Sequence, residues 1–163
     1  MNYLNLDLEK TTKTANELNV LLADYHLYYQ KLRNFHWNVV GKHFFDLHEK
    51  FEEMYDDAKL KVDEIAERIL TLRFQPVSNF SQYLELSNLK ESPSETKATE
   101  MVQVLLKDHG AILKQLRLII ETADEANDEG TIDMVGSYIG ELEKISWMLD
   151  AWSMNSAATN LEE

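Results

Sequence analysis

Apolar residues recur every three or four positions along most of the chain, in four separate stretches. The first runs over about 8–37, with Leu18, Leu21, Tyr25, Tyr28, Leu32 and Phe35 in register. The second, about 44–74, has the cleanest stripe, through Leu47, Phe51, Met54, Ala58, Val62, Ile65, Ile69 and Leu72. A third, about 93–124, carries Met101, Leu105, Ile112, Leu116 and Ile119, and a fourth, about 131–154, carries Val135, Ile139, Leu142, Ile145, Met148 and Trp152. This spacing predicts four long helices, each with one apolar face to bury. Gly41 marks a short first connection, so the first two helices are predicted to be antiparallel neighbours. The residues from Asn127 to Gly130 break the third helix from the fourth, and Ser92-Pro93-Ser94-Glu95 reads as a capped helix start with a capping-box glutamate. The second connection, 75–91, is much longer, and Phe80 to Leu86 within it predicts a short helix. A crossover of that length places the second and third long helices nearly parallel.

Composition supports an all-α single domain over 1–163. Five glycines and two prolines are too few for the many turns of a sandwich or barrel. With 44% hydrophobic and 28% charged residues, the composition is ordinary for a soluble globular protein, and disorder is not the default expectation. Cysteine is absent, which removes disulfides, thiolate metal sites and cysteine catalysis. No apolar run reaches the roughly 20 residues needed to span a bilayer. The N-terminal segment shows no apolar stretch behind a basic start, so no signal peptide is expected and the expected location is cytoplasmic. A net charge of −13 opposes binding to a phosphate backbone and suits a protein that attracts cations, although it also simply confers solubility.

The second stretch carries the candidate chemistry. His48 with Glu52, and Asp63 with Glu67, are i, i+4 pairs, and each pair shares one helix face. The step from His48 to Asp63 is fifteen residues, about four turns, so both pairs lie on nearly the same face. His36, at the end of the first helix, is available beside the first pair. Imidazole with carboxylate suits Fe, Mn or Zn. Glu52 and Asp63 are nevertheless roughly 16 Å apart along a straight helix, so one ion cannot be held by both pairs of a single chain. If all five residues serve one site, two chains must meet with their second helices antiparallel, giving two sites per dimer. The plainer alternative is a solvated helix face, with Asp63 or Glu67 paired to Lys59 or Arg68. A Glu-x-x-His pair is missing because Phe45 stands three residues before His48, which argues against a di-iron centre inside one bundle. His26, His43 and His109 belong to no comparable constellation and are expected to pack or cap.

The run His36-Trp37-Asn38-Val39-Val40-Gly41, followed by Phe44, Leu47-His48, Phe51, Tyr55, Asp63 and Ala66-Glu67-Arg68-Ile69, resembles the Dps family of miniferritins, in the ferritin-like superfamily. The likeness continues through Tyr83-Leu84 to Trp147-Met148. It implies a ferritin-like four-helix bundle with a short extra helix in the long connection, assembled as a hollow homododecamer. It further implies Fe(II) oxidation at sites shared across the two-fold dimer, with two iron positions per site, which Zn or Mn can also occupy. In that scheme His36, His48 and Glu52 come from one subunit and Asp63 and Glu67 from its partner. Many relatives carry aspartate where Glu52 stands; the longer side chain keeps the carboxylate but bears on the second iron position. Trp37 would lie near the site and intercept radicals. Hydrogen peroxide is the expected oxidant, so that iron storage and protection from oxidative damage become one process. By the same resemblance Glu49, Glu53 and Asp56 are nucleation carboxylates facing the cavity, and Asp124, Glu129 and Asp133 line pores for iron entry.

Two other readings differ in class: a DNA-binding, nucleoid-protecting shell, and a metal-binding bundle without turnover. Relatives that bind DNA use lysine-rich tails. Here residues 1–13 set Asp7 and Glu9 against Lys10 and Lys13, and the last nine residues hold no lysine or arginine. No shift of linear DNA is therefore expected in a gel at physiological salt; a salt-sensitive shift that persists without added Mg²⁺ would contradict this.

Overall fold

Asp7 accepts a hydrogen bond from the Lys10 amide at 3.0 Å, and this capped turn opens α1, Leu8–Asn38. The computed structural model describes residues 4–94 and 97–159, the last five of them in backbone only. Within these residues α1 is followed by α2 (Phe44–Thr71), α3 (Phe80–Leu86), α4 (Ala98–Ala126) and α5 (Glu129–Thr159), with no strand. The short helix coincides with its expected span, and α1 and α2 begin where the periodicity places them. The predicted apolar stripes meet in one core, which includes Leu18, Tyr25, Phe35, Phe51, Ile65, Met101, Ile112 and Val135.

The helix ends differ from expectation for identifiable reasons. α2 stops at Thr71 rather than Phe74 because Arg73 turns left-handed (φ 72°). The Phe74 amide then bonds to the Ile69 carbonyl (3.0 Å) and the Arg73 amide to the Leu70 carbonyl (2.9 Å), satisfying the carbonyls of the last turn. Asn127 (φ 52°) closes α4 in the same way, with the Asp128 amide on the Ala123 carbonyl at 2.9 Å. Asp128 then caps α5 by accepting from the Thr131 amide at 3.1 Å. Two residues thus make the whole connection, and Gly130, expected in the break, lies inside α5. The capped start at Ser92-Pro93 does not form. The Asn34 side-chain amide donates to the carbonyls of Ser92 (3.1 Å) and Pro93 (3.4 Å), the acceptors that a helix beginning there would need. α4 instead begins behind Lys97 without a side-chain cap; Glu95, the expected capping-box partner, lies outside the described residues.

Polar contacts across the core define the topology. Lys13 meets Glu125, Glu17 meets Gln115, and Lys31 meets Asp108, so α1 and α4 run antiparallel. Trp152 meets Asp46, Lys61 meets Glu141, and Arg68 meets Asp128, so α2 and α5 are also antiparallel. Since α1 is antiparallel to α2 as well, α2 and α4 are parallel, as the long connection requires. That connection is fastened to α1. Asn19 accepts from the Val77 amide (2.8 Å), and His26 stacks on Tyr83 with centroids 3.9 Å apart. Asp24 accepts from the Ser87 hydroxyl (2.7 Å) and the Asn88 amide (2.6 Å). Burial raises the Asp24 pKa, and these donors oppose the rise.

His109 is a core residue, as expected. Ser146 spends its hydroxyl proton on the Leu142 carbonyl (2.6 Å), so the Ser146 oxygen accepts from His109 Nδ1 (2.8 Å). His109 Nε2 then accepts from the Tyr28 hydroxyl (2.7 Å), and the neutral ring is fully satisfied. Burial lowers its pKa to about 4. The unfolded chain, titrating near the ordinary histidine value of 6.5, binds the proton first as pH falls. The stability His109 contributes is therefore complete above pH 6.5 and is lost progressively toward pH 4, by about 3 kcal/mol. Urea unfolding at pH 7 and pH 4.5 should show a smaller acid loss for His109→Gln than for wild type; equal losses would contradict this.

Candidate metal centre

His36 lies in the last turn of α1 and His48 near the start of α2, and the short connection through Gly41 (φ 92°) brings them face to face. Each ring holds the other's backbone. His36 Nδ1 donates to the His48 carbonyl at 2.7 Å, and His48 Nδ1 donates to the His36 carbonyl at 2.8 Å. The rings stack with centroids 3.7 Å apart. Phe44 stacks on His48 at 4.8 Å, and the Tyr55 ring meets His36 edge-on at 5.4 Å. With both Nδ1 atoms committed as donors, each imidazole keeps its lone pair on Nε2, the arrangement in which histidine ligates metals.

Glu52, one turn beyond His48, completes a group whose ligand atoms all lie within 4.8 Å of one another. Two ligands at about 2 Å from one ion span at most about 4 Å, so the three groups stand close to the spacing that one ion needs. His36 is only 8% exposed, so the imidazole side of this group is set in the protein and the carboxylate side faces out.

Asp63 and Glu67 do not join this cluster; both are exposed, farther along α2. Nor do they pair with Lys59 or Arg68 among the described residues. Arg68 turns the other way, donating to Thr131 Oγ1 at 2.9 Å and pairing with Asp128. Its guanidinium passes over Gly130, where a Cβ would come within 3.0 Å of it, so that position admits only glycine without displacing the arginine. Lys61, between the two acidic pairs, is buried on the opposite face and held by Asp57 (2.5 Å) and Glu141 (2.7 Å). α2 therefore exposes Glu52, Asp63 and Glu67 with no lysine or arginine of its own chain bound to them among the described residues.

Trp37 does not stack on the histidines. It is 58% exposed, with the Arg33 guanidinium 4.7 Å above its ring, and among the described residues no ring contact joins it to His36 or His48. Glu49, Glu53 and Asp56 are exposed along α2, Glu53 in an ion pair with Lys50. Asp124, Glu129 and Asp133 are exposed around the α4–α5 turn. The residue that sequence reasoning left without a role is Tyr55, whose hydroxyl donates to Glu52 Oε1 at 3.3 Å. Its helical position three after Glu52 and seven after His48 was the available signal. Desolvation first, then the charges of Glu52 and Asp56, raise the pKa of this phenol, which is therefore protonated at neutral pH.

The sequence matches the Ferritin family, described as a ferritin-like domain, over residues 15–155. It is 43% identical over 135 residues to DNA protection during starvation protein 2 of Bacillus anthracis, an alignment covering 83% of this chain and 92% of that protein. A Dps protein from Vibrio cholerae O1, described as a member of a broad superfamily of ferritin-like diiron-carboxylate proteins, superposes with TM-score 0.90 at 46% identity, covering 93% of this chain and 96% of the other. A Dps protein from Bacillus brevis gives TM-score 0.86 at 40% identity, with coverage of 88% and 97%.

Zn²⁺ is a redox-inert probe of the geometry described above. His48→Ala removes one nitrogen ligand and the donor that holds the His36 carbonyl, and should weaken Zn²⁺ binding by about 100-fold or more. Competition with a chromophoric chelator measures this, and an unchanged affinity would exclude the cluster as a metal site.

Proposed function

The chain belongs to the Dps family of ferritin-like proteins, and from that membership we propose that it oxidises Fe(II) at sites shared between two-fold-related subunits and stores the ferric product inside a hollow dodecamer. The observation that carries this reading is the division of α2: a preset His36–His48–Glu52 half-site at one end, and exposed Asp63 and Glu67 at the other. Two α2 helices packed antiparallel would bring the first half of each against the second half of the other. His36, His48 and Glu52 would then share iron with Asp63 and Glu67 of the partner subunit.

The donor set accounts for the chemistry. Imidazole nitrogens bind Fe(II) well, and added carboxylate oxygens favour Fe(III), so the site assists loss of an electron. Hydrogen peroxide takes two electrons and two Fe(II) supply them, so no hydroxyl radical need form. Asp124, Glu129 and Asp133, gathered at one turn, would draw cations toward pores if that turn lies on a symmetry axis. Glu49, Glu53 and Asp56 would seed the mineral on the cavity wall. No helix among the described residues is long and apolar enough to cross a membrane, and a cytoplasmic location suits this reading. Several relatives are named for DNA protection. For this chain, with net charge −13, we assign protection to removal of iron and peroxide rather than to DNA binding.

The sharing of sites has a distinctive test. His36→Ala and Asp63→Ala homo-oligomers should each lose peroxide-dependent Fe(III) formation. Dissociated, mixed in equal amounts and reassembled, they should recover about a quarter of wild-type activity, because half the dimers are mixed and each mixed dimer keeps one intact site of two. No recovery on mixing would place all ligands within one chain. A wild-type rate no faster than buffer would end the ferroxidase reading.

A further inference from the structure

The aromatic rings beside the half-site differ in their electrostatic surroundings. Tyr55 touches the site itself: its ring meets that of His36 edge-on with centroids 5.4 Å apart, and its hydroxyl donates to Glu52 at 3.3 Å. Tyr29 follows behind it, with centroids 6.0 Å apart. The Arg33 guanidinium sits 5.3 Å over the Tyr29 ring and 4.7 Å over the Trp37 ring. A ring that loses an electron becomes positive or must shed a proton. Arg33 opposes that change at Tyr29 and at Trp37. At Tyr55 the neighbouring carboxylates favour it, and Glu52 Oε1 is already in place to receive the phenolic proton.

We propose that Tyr55, rather than Trp37, is the redox-active ring of the site, giving one electron and its phenolic proton when peroxide meets a site that holds a single Fe(II). This rests on the ferroxidase reading above. One Fe(II) supplies only one of the two electrons that cleave the O–O bond, and alone it would release a hydroxyl radical. With Tyr55 the balance is Fe(II) + TyrOH + H₂O₂ → Fe(III)–OH⁻ + TyrO• + H₂O. The iron and the phenol are each oxidised by one electron, and peroxide is reduced by two. The phenolic proton leaves through Glu52 and ends on the second peroxide oxygen as water. A later Fe(II) restores the residue: Fe(II) + TyrO• + H⁺ → Fe(III) + TyrOH. The two half-reactions together consume two Fe(II) per peroxide, the same stoichiometry as a fully loaded site.

The test uses the assembled protein loaded anaerobically with one Fe(II) per site, mixed with hydrogen peroxide and freeze-quenched for electron paramagnetic resonance. Wild type should give a tyrosyl signal that narrows when ring-deuterated tyrosine is incorporated. The signal should persist in Trp37→Phe and in Tyr29→Phe and vanish in Tyr55→Phe, where a spin trap should capture several-fold more hydroxyl radical. A signal that survives in Tyr55→Phe, is lost in Trp37→Phe, or fails to respond to deuterated tyrosine would overturn the proposal. So would Fe(III) formation in wild type with no protein radical. A wild type that forms no Fe(III) above buffer would instead sink the ferroxidase reading beneath it.

Discussion

A charge moved from water into a helix bundle costs several kcal/mol unless it finds a partner, and that constraint sets the register of this fold. Lys31 and Asp108 meet at 2.5 Å between α1 and α4. Lys61 is held by Asp57 and Glu141, and Arg68 by Asp128, between α2 and α5. Desolvation raises the Asp108 pKa, while Lys31 pulls it back. A slip of one helical turn would separate Lys31 from Asp108, Lys61 from Glu141 and Arg68 from Asp128. With α1 and α2 so fixed, the last turn of one falls beside the first turns of the other, and His36 can reach the His48 carbonyl while His48 reaches the carbonyl of His36.

The apolar period was sufficient to read the four long helices and the crossover, because burial of one face per helix is a property of the sequence itself. The helix ends were less legible. Both α2 and α4 close on residues that adopt a left-handed conformation without being glycine, Arg73 and Asn127, whereas glycine is the usual signal. The capping motif at Ser92 was overridden by Asn34, which is remote in sequence and close only in the fold. Buried Asp24, Lys31 and Lys61 were equally hidden, since a charged residue in a helical pattern reads as solvated until its partner is placed. Spacing at the site singled out His48, Glu52, Asp63 and Glu67, of which His48 and Glu52 gather with His36 while the other two stay apart along α2. It could not show the reciprocal bonds to backbone carbonyls, which depend on the path of the chain through Gly41.

The same electrostatic reasoning separates the functional surface into regions. α2 turns Lys61 and Arg68 inward, where they meet Asp57, Glu141 and Asp128, and leaves Glu52, Asp63 and Glu67 exposed. Arg33 lies over the rings of Tyr29 and Trp37. Negative charge is therefore concentrated where a metal cation would arrive, and positive charge where oxidation of a ring would be unwelcome. The aromatic residues differ in role because of these neighbours more than because of their own chemistry.

The mutual grip of His36 and His48 also closes the end of the α1–α2 hairpin. Each ring spends one nitrogen on a backbone carbonyl of the opposite helix, and the same two side chains keep Nε2 for a metal. Ligand and fastener are therefore the same parts. A change at either histidine is felt in the backbone as well as in the donor set, so this corner of the subunit cannot be altered for one purpose alone.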